Sequence, residues 1–367
     1  MTEKWPSCKR IFHLLGGLLA INELKSNIIE IRPATTSGDS ITITIPTYGF
    51  AFKALNDFGF KICGVEFISD ISEETGQSPP DWRSYSRLGQ GSWLNWDSMQ
   101  VWFHLANSAF KKKHGFCYDL AQRIRYQLNA VNERLRDLSI AYQNQLNSLI
   151  MSGEKGPKLR IQNGYTNLTY QRFHSFLFDS CILRDYLSEF LFVFTTNEDL
   201  KKTAQDVTTA GSLFKLLKKC SVLHPLEQTY FSAMKDNGWI KELGAYRDLV
   251  MHSAPIFFAN HHSFCIFHEQ EFNDSKRFYS VRFPLPEKPD ELFKNRSKKE
   301  NFDAFIQDFK QYANSSYEDD ERYDCLEYAQ GVSAQISSLA MQSIQIAPFE
   351  PTQPAYRISG GIVEKIA

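Results

Sequence analysis

The sequence predicts a mainly α-helical protein preceded by a small α+β domain, and three observations lead there. Within the first ninety or so residues, Ile41-Thr42-Ile43-Thr44-Ile45-Pro46 alternates with a period of two and is β-branched, as a half-buried strand requires. From Asp97 or Ser98 to Leu149 the chain has no proline and repeats apolar residues at helical spacing. Near residue 264 the period returns to two for a single hairpin before helical text resumes.

Taken in order, residues 1–95 form the small α+β domain. Its second strand candidate is Lys61-Ile62-Cys63-Gly64-Val65-Glu66-Phe67-Ile68. Earlier, Lys9 and Arg10 precede an apolar run, Ile11 to Ile21, that imitates a secretion signal; His13 interrupts it, no small-x-small cleavage site follows, and Asn22-Glu23-Leu24-Lys25 continues like an ordinary helix. Proline, glycine and serine cluster from Ser78 to Ser98 and set the boundary near residue 95. The helical domain, 96–345, opens with two helices divided at Gly115, and Leu120, Ile124, Leu128, Val131, Leu135, Leu138 and Tyr142 lie along one face. A loop follows at 151–158. A second strong helix spans 170–195, where Phe173, Leu177, Cys181, Leu183, Leu187, Phe190 and Leu191 make a wide apolar surface that marks it as central. Further helices are expected at 198–220 and at 225–252, the latter opened by Pro225 and stopped at Ser253-Ala254-Pro255. The hairpin occupies about 263–284, turning at Asn273-Asp274-Ser275-Lys276, and helices return at 300–313 and 318–344, the acidic run Glu318 to Glu321 starting the last. Residues 346–367, with three prolines and a Gly-Gly pair, read as a flexible tail.

Composition narrows the classes. A chain of 367 residues that is 43% hydrophobic buries one large core or several modest ones and is too apolar for intrinsic disorder. Its 41 basic and 42 acidic side chains leave a formal charge of -1, which excludes a nucleic-acid binder that works through a global positive field. A polyanion must be met by a local patch. Seven cysteines, an odd number without a Cys-x-x-Cys pair, read as reduced and mostly buried thiols and place the chain in the cytoplasm. No apolar run reaches the length of a membrane span, so no membrane partner is expected.

The usual signatures of chemistry are missing: there is no Walker A loop, dinucleotide fingerprint, H-E-x-x-H, G-x-S-x-G or EF-hand loop. What stands out is the end of the helix 225–252, Trp239 through Tyr246-Arg247-Asp248-Leu249-Val250-Met251-His252 to Pro255. An arginine with a polar neighbour and a histidine five residues on, placed where a helix stops, resembles the motif of the HEPN superfamily. The resemblance covers Arg247, Asp248 and His252 and, through the helical context, residues 98–345. It implies a HEPN-like helical bundle with a β-hairpin insertion. It also implies a metal-independent endoribonuclease acting as a homodimer without cofactor, with a toxin or phage-defence role and an antitoxin or regulatory protein as partner. Some members carry a modifiable tyrosine two residues after the histidine. Ala254 stands there, so that regulation is not implied.

The residues suit the chemistry on their own terms. Cleaving RNA without metal requires a proton acceptor for the 2'-hydroxyl, a proton donor for the leaving 5'-oxygen and a fixed cation for the charge growing on phosphorus. His252 fits the first two roles and Arg247 the third, while Asp248 would orient either one. An offset of five residues puts Arg247 and His252 about 140° apart around an ideal helix and about 7.5 Å apart along it. One chain alone presents them poorly to one phosphate, so a composite site across an isologous dimer is expected. A purely structural reading has Arg247 pairing with Glu242 or a carboxylate elsewhere and His252 capping the last carbonyls of its helix. The rival function is a non-catalytic dimeric interaction or nucleotide-binding module of the same fold.

Secondary candidates surround this motif. Lys241, Trp82, Arg83, Arg87, His261 and His262 could line an RNA path, with Trp82, Trp93, Trp96 and Trp102 either stacking on bases or packing the small domain. The set His261, His262, Cys265, His268 has donors for zinc, but a strand would point Cys265 and His268 to opposite faces, and no metal site is assigned. Lys111-Lys112-Lys113-His114, Lys218-Lys219 and Lys298-Lys299 read as solvated charge.

Overall fold

The fold is taken from a computed structural model, which describes residues 8–34, 40–88, 91–156, 158–195, 207–252, 264–272, 276–294, 323–353, 355–359 and 362–366, with positions 303, 306 and 307. It is a mixed α+β protein. Helices α3 (Leu94–Lys111), α4 (Gly115–Met151) and α5 (Gly164–Thr195) form a helical body, joined by a six-stranded antiparallel sheet and a smaller three-stranded one. Helix predominates, as expected, and the first ninety residues, expected as a small α+β domain, hold more strands than the two read there. There β1 (Lys9–Leu14), β2 (Leu19–Asn22), β3 (Ile28–Arg32), β4 (Ile41–Thr44), β5 (Ile62–Ile68) and β6 (Asp81–Ser84) line up in the order β4-β3-β2-β1-β5-β6, with α1 (Phe50–Asp57) and α2 (Ile71–Glu74) between strands.

The run that resembled a signal or a helix is the β1–β2 hairpin. All four residues of β2 are buried, so no alternation marks the strand. The chain reverses at Gly16 and Gly17, both at positive φ. At Gly17, φ is +92° and a Cβ would lie 2.7 Å from the Tyr142 carbonyl oxygen. The β1–β5 register shifts between His13 and Leu14, which bends the strand at the histidine.

The chain divides into two compact units. The first comprises Met1–Ser86, Asn132–Phe178 and Gly244–Gly331, the second Arg87–Val131, Asp179–Leu243 and Val332–Ala367. Neither coincides with a division at residue 95. In the first unit the second half of α4 and the start of α5 accompany the large sheet and the small sheet β7-β8-β9, formed by β7 (Lys158–Ile161), β8 (Cys265–Phe272) and β9 (Lys276–Arg282). The hairpin was legible in sequence; β7, four residues that start where the expected loop ends, was not. This unit also holds α9 (Pro289–Lys294) and the start of α10 (Cys325–Ser343). Buried Asp324 caps α10: its carboxylate accepts from Leu326 N (3.0 Å), Glu327 N (3.1 Å), Phe283 N (2.8 Å) and the Tyr142 hydroxyl (2.8 Å). Farther along α10, Gln330 Nε2 donates to the carbonyls of Ile62 (2.6 Å) and Tyr85 (2.9 Å).

The second unit packs α3 against the remainder of α10, with the Ser98 hydroxyl donating to the Ser337 carbonyl (2.9 Å) and the Trp102 indole to that of Ala340 (3.1 Å). It includes α6 (Ala210–Leu217) and α7 (Pro225–Met234). Pro225 opens α7 as expected, but the single helix 225–252 is in fact two. Asn237 takes a left-handed φ of 65°, and α8 (Trp239–His252) starts afresh. The apolar faces read from α4 and α5 are buried throughout, and all seven cysteines are free, five of them buried. The tail is not structureless: Ala355–Ser359 and Ile362–Ile366 pair as an antiparallel hairpin, β10 and β11. Among the described residues no helix is long and apolar enough to cross a membrane. The stop at Ser253-Ala254-Pro255, His261, His262, Glu318 to Glu321 and most of 300–313 lie outside the described residues.

Candidate active site on helix α8

Helix α8 buries Ile240, Leu243, Tyr246 and Leu249, a three-residue spacing that defines its inner face. Its last turns are fastened in the first unit by Tyr246, whose hydroxyl donates to the Pro286 carbonyl (2.7 Å) and whose ring meets Tyr328 edge-on at 5.1 Å. With the inner face fixed, Arg247 and Asp248 fall on the flank and stay half-buried, while Met251 and His252 end the helix exposed. Arg247 Nε lies 2.8 Å from Asp248 Oδ1. That nitrogen is buried and the pair lacks hydrogen-bond geometry, so Asp248 acts on the guanidinium through its charge, while the arginine side chain as a whole stays 29% exposed. The structure thus brings Arg247 and Asp248 into contact and places His252 at the exposed end of the same helix.

The secondary residues separate. Trp82 is 3% exposed and its indole N–H donates to the Asn132 carbonyl (3.0 Å). It cannot stack on a base, and the packing alternative holds: Gly64 on the neighbouring strand has no Cβ because one would collide with this indole. Arg83 is half-buried and gives Nε and Nη2 to Asp81 Oδ2 (3.0 and 2.7 Å) while lying 5.3 Å over the Phe67 ring. Those contacts occupy it within the six-stranded sheet. Arg87 is exposed, and Lys241 is ion-paired with Asp236. Cys265 is fully buried, and burial pushes its thiol up to about 12. Among the described residues no cluster of three metal-ligating side chains occurs.

Sequence reasoning missed a second constellation in the first unit, because its members are dozens of residues apart and share no motif. His13 Nδ1 lies 3.1 Å from the Ser139 hydroxyl and 3.1 Å from Gln143 Nε2; His13 Nε2 lies 3.6 Å from Glu66 Oε1, which also accepts from Arg136 Nε at 2.7 Å. Hydroxyl, imidazole and carboxylate stand in the order of a nucleophilic relay. Ser139 and His13 are buried, however, and Trp82 covers the imidazole with ring centres 4.8 Å apart. No reactant reaches that hydroxyl, so the set is a core network. Burial pushes the Glu66 carboxyl up, but the His13 hydrogen bond and charge, together with Arg136, outweigh it and hold the group at about 2. Arg10 is a related case. Wholly buried in β1, it donates to Asn22 Oδ1 (2.7 Å) and the Tyr48 carbonyl (3.2 Å), and burial lowers it to about 10.

A cleft of about 460 Å³ also opens in the first unit, walled by Phe58, Phe60, Lys61, Tyr279, Arg282 and Glu327. It includes none of the α8 motif residues. No family model, curated protein or solved structure matches the chain.

Proposed function

We propose that the protein is a metal-independent endoribonuclease of HEPN-like architecture, working as an isologous homodimer. One observation carries the reading: Arg247, held by Asp248, and exposed His252 occupy the accessible end of one helix whose other face is anchored in the core. In this reaction His252 takes the proton of a 2'-hydroxyl, the 2'-oxygen attacks phosphorus, and Arg247 holds the non-bridging oxygens as negative charge builds. The bond to the 5'-oxygen breaks, an imidazolium returns the proton to it, and the products are a 2',3'-cyclic phosphate and a 5'-hydroxyl. Two copies of α8 across a two-fold axis supply the acid and base that one helix end cannot place on both sides of a phosphate. RNA is then the substrate, and a toxin or antiviral-defence role with a regulatory partner follows from the motif resemblance. Incubation with RNA in EDTA should yield cyclic-phosphate ends from the parent chain and none from Arg247→Ala or His252→Ala. Equal cleavage by either variant rejects the assignment, and a monomer by light scattering rejects the composite site.

The cleft favours one alternative, a non-catalytic nucleotide-binding module. Its aromatic walls and two cations suit a base and a phosphate. Saturable binding of AMP or GMP by equilibrium dialysis, lost in Arg282→Ala and unaccompanied by RNA cleavage, would select that reading.

A further inference from the structure

The turn between α3 and α4 presents cations and aromatic rings together. Lys111, Lys112 and Lys113 are all exposed, and none forms an ion pair with a described residue. Around them Phe110 is 67% exposed, Phe116 45% and Tyr118 36%. Scattered single apolar residues on a surface need no explanation, but three aromatics within nine positions do. Nor are they loose. Lys113 takes a left-handed φ of 55°, His114 Nδ1 accepts from Cys117 N (3.2 Å), and the His114 ring meets Phe349 edge-on at 5.4 Å. Cys117 and Leu120 are fully buried beneath. The turn is pinned to the core of the second unit, and the rings are held outward, Phe110 and Tyr118 with centres 5.6 Å apart and planes tilted by 51°. The nearby carboxylate, Asp119, is taken up by Arg123 at 2.8 Å, so the local charge is positive on a chain whose total is -1.

The geometry points to this turn as a docking surface for single-stranded nucleic acid, with bases stacking on Phe110, Phe116 and Tyr118 and phosphates met by the three lysines. A duplex keeps its base faces inside the stack, so the rings select an unpaired strand. The positive charge complements the phosphodiester backbone, which is the local patch that the balanced composition demands. The choice of RNA over DNA rests on the nuclease reading; the surface itself does not.

The test uses a fluorescein-labelled 20-nucleotide strand, unstructured and 2'-O-methylated so that it cannot be cleaved, titrated with the full chain and followed by anisotropy. Replacing Phe110 and Tyr118 by Ala should weaken binding about tenfold or more. Lys111→Gln, Lys112→Gln and Lys113→Gln together should weaken it and lower the slope of log Kd against log salt by about 2, since each phosphate contact on a single strand contributes about 0.7. All these side chains are exposed, and unchanged circular dichroism would show that the fold is kept. Parent-like affinity in both variants overturns the proposal, as does parent binding to phosphatidylserine vesicles but not to the strand. Neither result bears on cleavage, and loss of the nuclease assignment through His252→Ala leaves this surface standing.

Discussion

Around His13 and along the last turns of α8 the chain carries the same three functions, an imidazole, a guanidinium and a carboxylate, packed together in the first case and set out along one helix end in the second. At His13 each is enclosed: Glu66 binds Arg136 and faces His13, Ser139 and Gln143 occupy the imidazole, and Trp82 roofs it. At the end of α8 the carboxylate pairs with a half-buried arginine and the histidine is exposed. The first arrangement uses its charges to join β1, β5 and α4, and it has nothing left for a reactant. The second keeps its groups accessible. Residue types alone do not separate a site from a core network; access does, and the pair yields opposite expectations for similar substitutions.

The largest expected effect is at the open set. His252→Ala should lower RNA cleavage by about 100- to 10,000-fold, the range for a lost general acid or base, with the urea midpoint unchanged; a lowered midpoint would mean that the two histidines do not differ as argued. At the closed set the outcome reverses. Glu66→Ala should cost about 3 to 5 kcal/mol in urea unfolding, because Arg136 and His13 lose their buried partner, while cleavage per folded molecule holds. The same carboxylate sets an acid limit. Its folded value of about 2 lies below the ordinary 4.5, so its stabilisation is complete above about pH 4.5 and drains away as the pH falls towards 2. Urea midpoints from pH 5 to pH 2.5 should fall steeply for the parent and less for Glu66→Gln. A smaller effect belongs to the roof: Trp82→Phe, losing the hydrogen bond to Asn132, should cost about 1 kcal/mol and leave strand binding untouched, whereas weakened binding would reinstate Trp82 as a stacking residue. Smallest is Lys61→Ala. Its pair with Glu327 is exposed on both sides, and calorimetry should register less than about 1 kcal/mol.

The helical body was legible because its long helices announce themselves. Leu120 through Tyr142 and Phe173 through Leu191 repeat at helical spacing, and each such position is buried. Gly115 and Pro225 mark real helix starts, β4 and the β8–β9 hairpin follow their period-two text, and β5 stands where a second strand was expected although its first five residues are all buried. The failures have local causes. The β1–β2 hairpin reads as one apolar run because all of β2 is buried, and only Gly16-Gly17 signals the reversal. The break at Asn237 hid within otherwise helical text, β7 follows the loop-like Gly153 to Pro157, and the prolines and Gly360-Gly361 made the β10–β11 segment read as a tail. At the candidate site, Arg247, Asp248 and His252 were visible as a motif on one helix. The His13 network was not, since tertiary packing alone brings residues 13, 66 and 139 together.

The cap at Asp324 carries a consequence for the timing of folding. Tyr142 and Phe283 direct their donors to this one carboxylate, and Gln330, six residues later, closes on the carbonyls of Ile62 and Tyr85. The first unit is drawn from three separated stretches of chain. A ribosome that has released the N-terminal sheet has therefore released an unfinished object, whose polar groups wait for a segment more than two hundred residues downstream. Nascent chains arrested before residue 324 should remain protease-sensitive in the sheet, and completion of the unit waits for α10 to be made.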